Sequence, residues 1–150
     1  MVKAENSIER QIEINASVAK VWKALTDAKS FGKWFGANFQ SDFVIGKTTK
    51  ARNTAKGYEM DMVFLIKEIK PKFYFSYAWH PFPLDQSFDY SKEEPTLVEF
   101  FLEKTAKGTL LKVKESGFNK ITASRRAEAF KMHTGGWEGQ LKNIENFLVK

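Results

Sequence analysis

Few residues in this chain could do acid–base chemistry near neutral pH. His80 and His133 are its only histidines, the side chain whose ordinary titration spans that range. Neither stands in a motif with a nucleophile, so a surface or rim position is the plainer account of both, and no residue is assigned a catalytic role. The sequence has no Cys, which excludes disulfides and thiolate chemistry. Two histidines make a His-rich metal site a poor expectation, and Asp85, Asp89, Glu93 and Glu94 lack the spacing of a metal-binding loop. No metal and no cofactor is expected. Arg10 and Glu115 are more informative. Strand parity places both among inward-facing apolar neighbours, where an unpaired charge is very costly. They are expected to pair with each other, or to form the polar end of a cavity.

A second set of candidates is aromatic. Aromatic residues make up 15% of the chain, and Phe alone supplies 14 positions. Trp34, Phe35, Met60, Met62, Phe64, Phe75, Tyr77, Trp79, Phe100 and Trp137 all fall on apolar faces. For most of them singly, core packing is the plainer account. Ligand pockets, however, are mostly apolar and aromatic with a few polar groups. Met adapts to variable shapes, and Trp and Tyr carry polar tips. The candidate ligand-binding residues are Trp34, Met60, Met62, Phe64, Phe75, Tyr77, Trp79, Phe100, His133 and Trp137, around an apolar pocket expected to be small or nearly filled by Phe.

The elements that must position these residues follow from periodicity. Ile8 to Ile14 alternates as a strand. Ser17 is a good N-cap for a helix carrying Val18, Val21, Trp22 and Leu25. Ser30 to Gly36 reads as a second short helix or turn presenting Trp34 and Phe35. Strands follow over Phe39 to Ile45, Thr48 to Arg52, Tyr58 to Ile69, Phe73 to Trp79, Thr96 to Lys104 and Thr109 to Phe118, with short turns between most of them. Residues 80–95, rich in Pro and acids, read as a long loop.

From Thr122 to Lys150 the period is helical, with a stripe of Ala127, Phe130, Thr134, Trp137, Leu141, Ile144 and Leu148. Gly135-Gly136 inside it costs about 1 kcal/mol per Gly relative to Ala. Either a kink that widens a cavity mouth, with 80–95 as a lid, or close helix–sheet packing would account for the pair. The predicted fold is α+β: a curved antiparallel sheet of about six or seven strands wrapped around a long C-terminal helix, with two short helices after the first strand.

At 150 residues the chain reads as one domain, 1–150. No apolar run spans a bilayer and no signal-peptide core opens it, so a cytoplasmic location without membrane insertion is expected. The net charge of +6 is spread over scattered lysines, a solvated surface rather than a nucleic-acid footprint.

The segments IERQIEINASVAKVWKALTDAKSFGKWF, EPTLVEFFLE with GTLLKVKESGF, and GGWEGQLKNIENFLVK together resemble the START-like (SRPBCC) superfamily. Within it the chain is most similar to homologues of the activator of the ninety-kilodalton heat-shock protein ATPase. The motifs Val21-Trp22, Trp34-Phe35, Glu115-Ser116-Gly117-Phe118 and Gly136-Trp137 carry that resemblance in order over nearly the whole chain. It implies a helix-grip fold with a cavity between the last helix and the sheet, which in the wider superfamily takes lipids, sterols or polyketides. Some members are cyclases, dehydratases or hydrolases. The eukaryotic co-chaperone behind the name also depends on an N-terminal domain for which this chain is expected to have no room.

The expected function is binding of a small hydrophobic or amphipathic molecule, lipid-like or aromatic, by a monomer or weak homodimer. The alternatives are a START-like cyclase or hydrolase using His133, Tyr77 or Glu115 in the same cavity, and a co-chaperone module in a stress response, with a chaperone as partner.

Overall fold

The computed structural model describes residues 6–54, 60–80 and 93–149. Among them a seven-stranded antiparallel sheet has the order β1-β7-β6-β5-β4-β3-β2. Its strands are β1 (Ser7–Ile14), β2 (Ala37–Phe39), β3 (Thr48–Asn53), β4 (Met60–Lys70), β5 (Tyr74–Trp79), β6 (Thr96–Lys104) and β7 (Thr109–Ser116). Two short helices, α1 (Val18–Thr26) and α2 (Ala28–Phe35), follow β1, and the long α3 (Ala123–Leu148) closes the chain. This is the α+β helix-grip arrangement expected from the sequence.

Local chemistry explains the boundaries. Ser17 caps α1 by accepting from the Lys20 N–H. Asp27 ends α1 and caps α2, its Oδ2 accepting from the Ser30 N–H and hydroxyl at 3.1 and 2.6 Å. Gly36 then ends α2 with a φ of 90°, a conformation that favours glycine. Along β4 the period-2 alternation buries Met60, Met62, Phe64 and Ile66.

Helix α2 starts two residues before the expected Ser30 and β7 ends two before the expected Phe118, and two further differences bear on the core. The predicted strand over 39–45 is only Ala37–Phe39, and Phe43 instead turns inward onto Phe31 and Phe75. Phe73, read as the first residue of a strand, lies in the turn before β5 and is exposed. The loop expected over 80–95 falls mostly outside the described residues.

The β6–β7 hairpin sets the register of β7, and Gly108 sits at its turn with φ 154°. A Cβ there would stand 2.3 Å from the Ile14 carbonyl oxygen and within 3 Å of the Ala16 backbone, where no side chain fits. Gly108→Ala is expected to cost about 2–3 kcal/mol, from backbone strain and displacement of β1. A urea midpoint unchanged from wild type would show that β1 yields freely.

Between sheet and helices the space is filled by rings. Phe31, from α2, is fully buried and contacts Trp34, Phe35, Phe39, Phe43, Phe64 and Tyr77 at centroid separations of 4.6–6.1 Å. Phe75, Phe100 and Trp137 continue the cluster across the sheet. Edge-to-face pairs of this kind add to the area term of burial. The expectation of a pocket nearly filled by Phe describes this interior well.

Helix α3 runs unbroken for 26 residues through Gly135-Gly136. A Cβ added at either glycine would meet nothing within 4 Å, so close packing against the sheet is not the reason for the pair. The inward stripe also differs from the sequence pattern in its first half. Ala127 is exposed, Ala129 is buried, and His133 takes the inward position between Ala129 and Trp137.

Candidate functional site

Glu115 comes from β7, where the alternation that buries Leu111 and Val113 carries its side chain to the same inner face. It is 0% exposed, and its two oxygens receive four donors. Oε2 accepts from Trp79 Nε1 at 2.8 Å and Thr96 Oγ1 at 2.5 Å. Oε1 accepts from Trp137 Nε1 at 2.8 Å and pairs with His133 Nδ1 at 2.7 Å. One carboxylate from β7 therefore joins β5, β6 and two successive turns of α3. Spacing on each element makes this possible: His133 and Trp137 are four apart on one helix face, and Trp79 and Thr96 are cross-strand partners.

Burial alone would push the Glu115 carboxyl up. The positive charge of the His133 ring, with hydrogen bonds from His133, Thr96 and Trp79, outweighs it and holds the carboxyl below its ordinary value. Tyr77, whose hydroxyl is fully buried and has no hydrogen-bond partner among the described residues, is pushed well above its ordinary value by burial and by the Glu115 charge.

In front of this network lies a cleft of about 110 Å³ lined by Phe35, Trp79, His133, Gly136, Trp137 and Gln140. Trp79 and Trp137 stack with centroids 5.9 Å apart. Gln140 is fixed, its amide N–H donating to the Phe35 carbonyl at 3.2 Å and its oxygen accepting from Asn143 at 3.0 Å. The bare backbone at Gly136 leaves one wall open. Two wider depressions, of about 470 Å³ beside α2 and about 500 Å³ on the outer sheet face, contain no buried ionisable group.

Of the residues singled out from the sequence, Phe35, Trp79, His133, Gly136 and Trp137 line the cleft and Glu115 stands directly behind it. Trp34, Met60, Met62, Phe64, Phe75, Tyr77 and Phe100 are buried elsewhere in the core; Trp34 Nε1 is spent on the Ala24 carbonyl at 2.8 Å. Arg10 does not meet Glu115. It is on the inward parity of β1 but reaches the rim, where its Nε donates to Glu138 Oε2 at 3.1 Å, so the expected Arg10–Glu115 pair is corrected to His133–Glu115. The long Arg side chain carries its charge out to solvent, and His133 supplies the inward cation. Thr96 and Gln140 were not found from sequence, because only cross-strand register and helix docking bring them here.

His80 belongs to a different neighbourhood. Burial lowers its pKa, while the charges of Glu93 and Arg125 act on it in opposite directions. Glu93, read as part of a solvated loop, is in fact buried: it grips the Arg125 guanidinium at 2.7 Å and accepts from the Thr122 N–H, capping α3. Among the described residues no group of three or more His, Asp or Glu could hold a metal, and no helix is long and apolar enough to cross a membrane.

A family model described as "Activator of Hsp90 ATPase homolog 1-like protein" matches residues 15–148. Solved structures with the same fold include protein MLL2253 from Mesorhizobium loti (TM-score 0.74, 20% identity, covering 95% of this chain and 96% of that one). Protein Ms6760 from Mycobacterium smegmatis gives a TM-score of 0.76 at 15% identity, covering 97% and 92%. The Aha1 dimer from Colwellia psychrerythraea gives 0.72 at 20% identity, covering 95% of each chain. At these identities the likeness is one of fold. No curated protein matches the sequence.

Proposed function

Because the chain belongs to the family of Activator of Hsp90 ATPase homolog 1-like proteins, with a START-like helix-grip fold, we propose that it binds a small hydrophobic or amphipathic molecule in the cleft between α3 and the sheet. The observation that carries this reading is the Glu115 network. A fully buried carboxylate is costly, and here it fixes three of the five cleft-lining side chains: Trp79, His133 and Trp137. The size of the cleft narrows the ligand. An apolar cavity of about 150 Å³ takes benzene, so a cleft of about 110 Å³ favours a single ring or short chain over a sterol or diacyl lipid.

Native mass spectrometry of freshly purified protein, followed by titration with a panel of lipids and single-ring aromatics, tests the reading. A retained mass, or saturable binding by the smaller members, is the expected result. A clean apo mass with no binding across the panel would sink it.

A cyclase or hydrolase asks for two polar side chains converging in a deep pocket. His133 and Glu115 converge, but the cleft is shallow and Tyr77 is packed away from it. A protein-binding role has one observation in its favour: Phe73 and Phe101 are exposed on the outer sheet face over a filled core. Co-purification with a ninety-kilodalton heat-shock protein, lost on Phe73→Ser, is the result that role requires.

A further inference from the structure

We propose that the ligand is a single-ring aromatic acid, whose one acidic oxygen binds as an anion to Nε2 of His133 while its ring lies against Phe35, Trp79 and Trp137. The proposal rests on the binding reading above and narrows it to a chemical class of benzoate-like carboxylates and phenols.

Most polar atoms of the cleft-lining side chains already have partners. Both indole N–H groups, of Trp79 and Trp137, are spent on Glu115. The Gln140 amide is tied at both ends, to the Phe35 carbonyl and to Asn143, and keeps one N–H and one lone pair. His133 Nδ1 is spent on Glu115. Of the lining rings that leaves His133 Nε2, which has no hydrogen-bond partner among the described residues. The Nδ1 bond fixes the ring's orientation, so the direction of Nε2 is set before any ligand arrives.

Nδ1 carries a proton because it faces a carboxylate oxygen, and an acid that binds together with its proton places the second one on Nε2, which then donates to the bound anion. A charged donor with no partner in an otherwise apolar cleft selects an acceptor, and an anionic one above a neutral one. Glu115 already has its counter-charge and three further donors, so it does not call for a cationic ligand. The chain's net charge of +6 favours the approach of anions. The three rings make the cleft wall apolar, with Trp79 and Trp137 stacked at 29° and Phe35 tilted against Trp79, and Gly136 leaves its side of the cleft open.

Calorimetric titration of the purified protein with benzoate, and with benzamide and toluene as neutral isosteres, tests this. Benzoate is expected to bind about tenfold or more tighter than either, a difference of about 1.4 kcal/mol. The His133 Nε2 resonance in ¹⁵N-labelled protein is expected to move on saturation with benzoate, a readout that needs no variant. In His133→Gln, shown folded by circular dichroism, the preference for benzoate is expected to shrink to about twofold. Equal binding of benzoate and the isosteres would overturn the acid class while leaving the binding reading in place. Tighter benzoate binding with the Nε2 resonance unmoved would overturn the assignment to His133. No binding by any of the three would overturn this proposal, and with a negative ligand panel it would overturn the binding reading as well.

Discussion

Glu115→Gln is expected to lower the free energy of unfolding by about 3–5 kcal/mol, the usual cost of removing one partner from a buried charge pair. The substitution keeps the shape and replaces one acceptor oxygen with an N–H₂ donor. Every neighbour of that position is a donor: the indole N–H groups of Trp79 and Trp137, the Thr96 hydroxyl and the His133 ring. At least one pair of donors must then face each other without an acceptor, with the full desolvation cost that follows. Urea unfolding followed by tryptophan fluorescence measures the change, and a loss below about 1 kcal/mol would show that the network is loose or wet.

The same network fixes the sign of a pH effect. Glu115 and Glu93 both lie below their ordinary value of 4.5 in the folded protein, despite burial that acts the other way. A carboxyl with a depressed folded pKa binds protons less readily folded than unfolded. Its stabilisation is therefore fully present above about pH 4.5 and lost as the pH falls below it. The wild-type melting temperature should drop steeply on acidification below that point, and Glu115→Gln should drop less steeply because one of the two groups is gone.

The second large effect separates binding from stability. Gly136 is in the interior of α3, it lines the cleft, and a Cβ there meets nothing within 4 Å. Gly136→Ala is expected to raise stability by about 1 kcal/mol, since Ala is the better helix former by that amount. Gly136→Leu should leave the fold intact while its side chain occupies the cleft. Ligand affinity is expected to fall about a hundredfold or more, a loss of about 2.8 kcal/mol. Full affinity in a folded Gly136→Leu protein would place the ligand elsewhere. Gly135→Ala is the control, equally free of contacts but absent from the cleft lining, and it should gain stability with binding unchanged.

The sequence by itself determined the fold and half of the site. Period-2 runs marked the strands, the N-cap Ser17 follows from its own side chain, and a 3.6-residue period marked α3, because these signals arise between neighbours a few residues apart. Trp79, Trp137 and Glu115 stood out because strand parity and helix spacing fix which side they face.

Tertiary structure alone decided what they meet. Parity gives Arg10 and Glu115 the same inward direction, but only the docking of α3 shows that Arg10 leaves along the rim to Glu138 while His133 comes over Glu115. The polar His133 was set beside the apolar stripe rather than in it, because an imidazole on the inner face makes sense only once its carboxylate partner, 18 residues away on another element, is known. Whether aromatic faces enclose a cavity or fill it is likewise not a local property. It depends on how Phe31, Phe64, Tyr77 and Phe100 interdigitate across four elements, with a cleft left open beside Gly136 on α3.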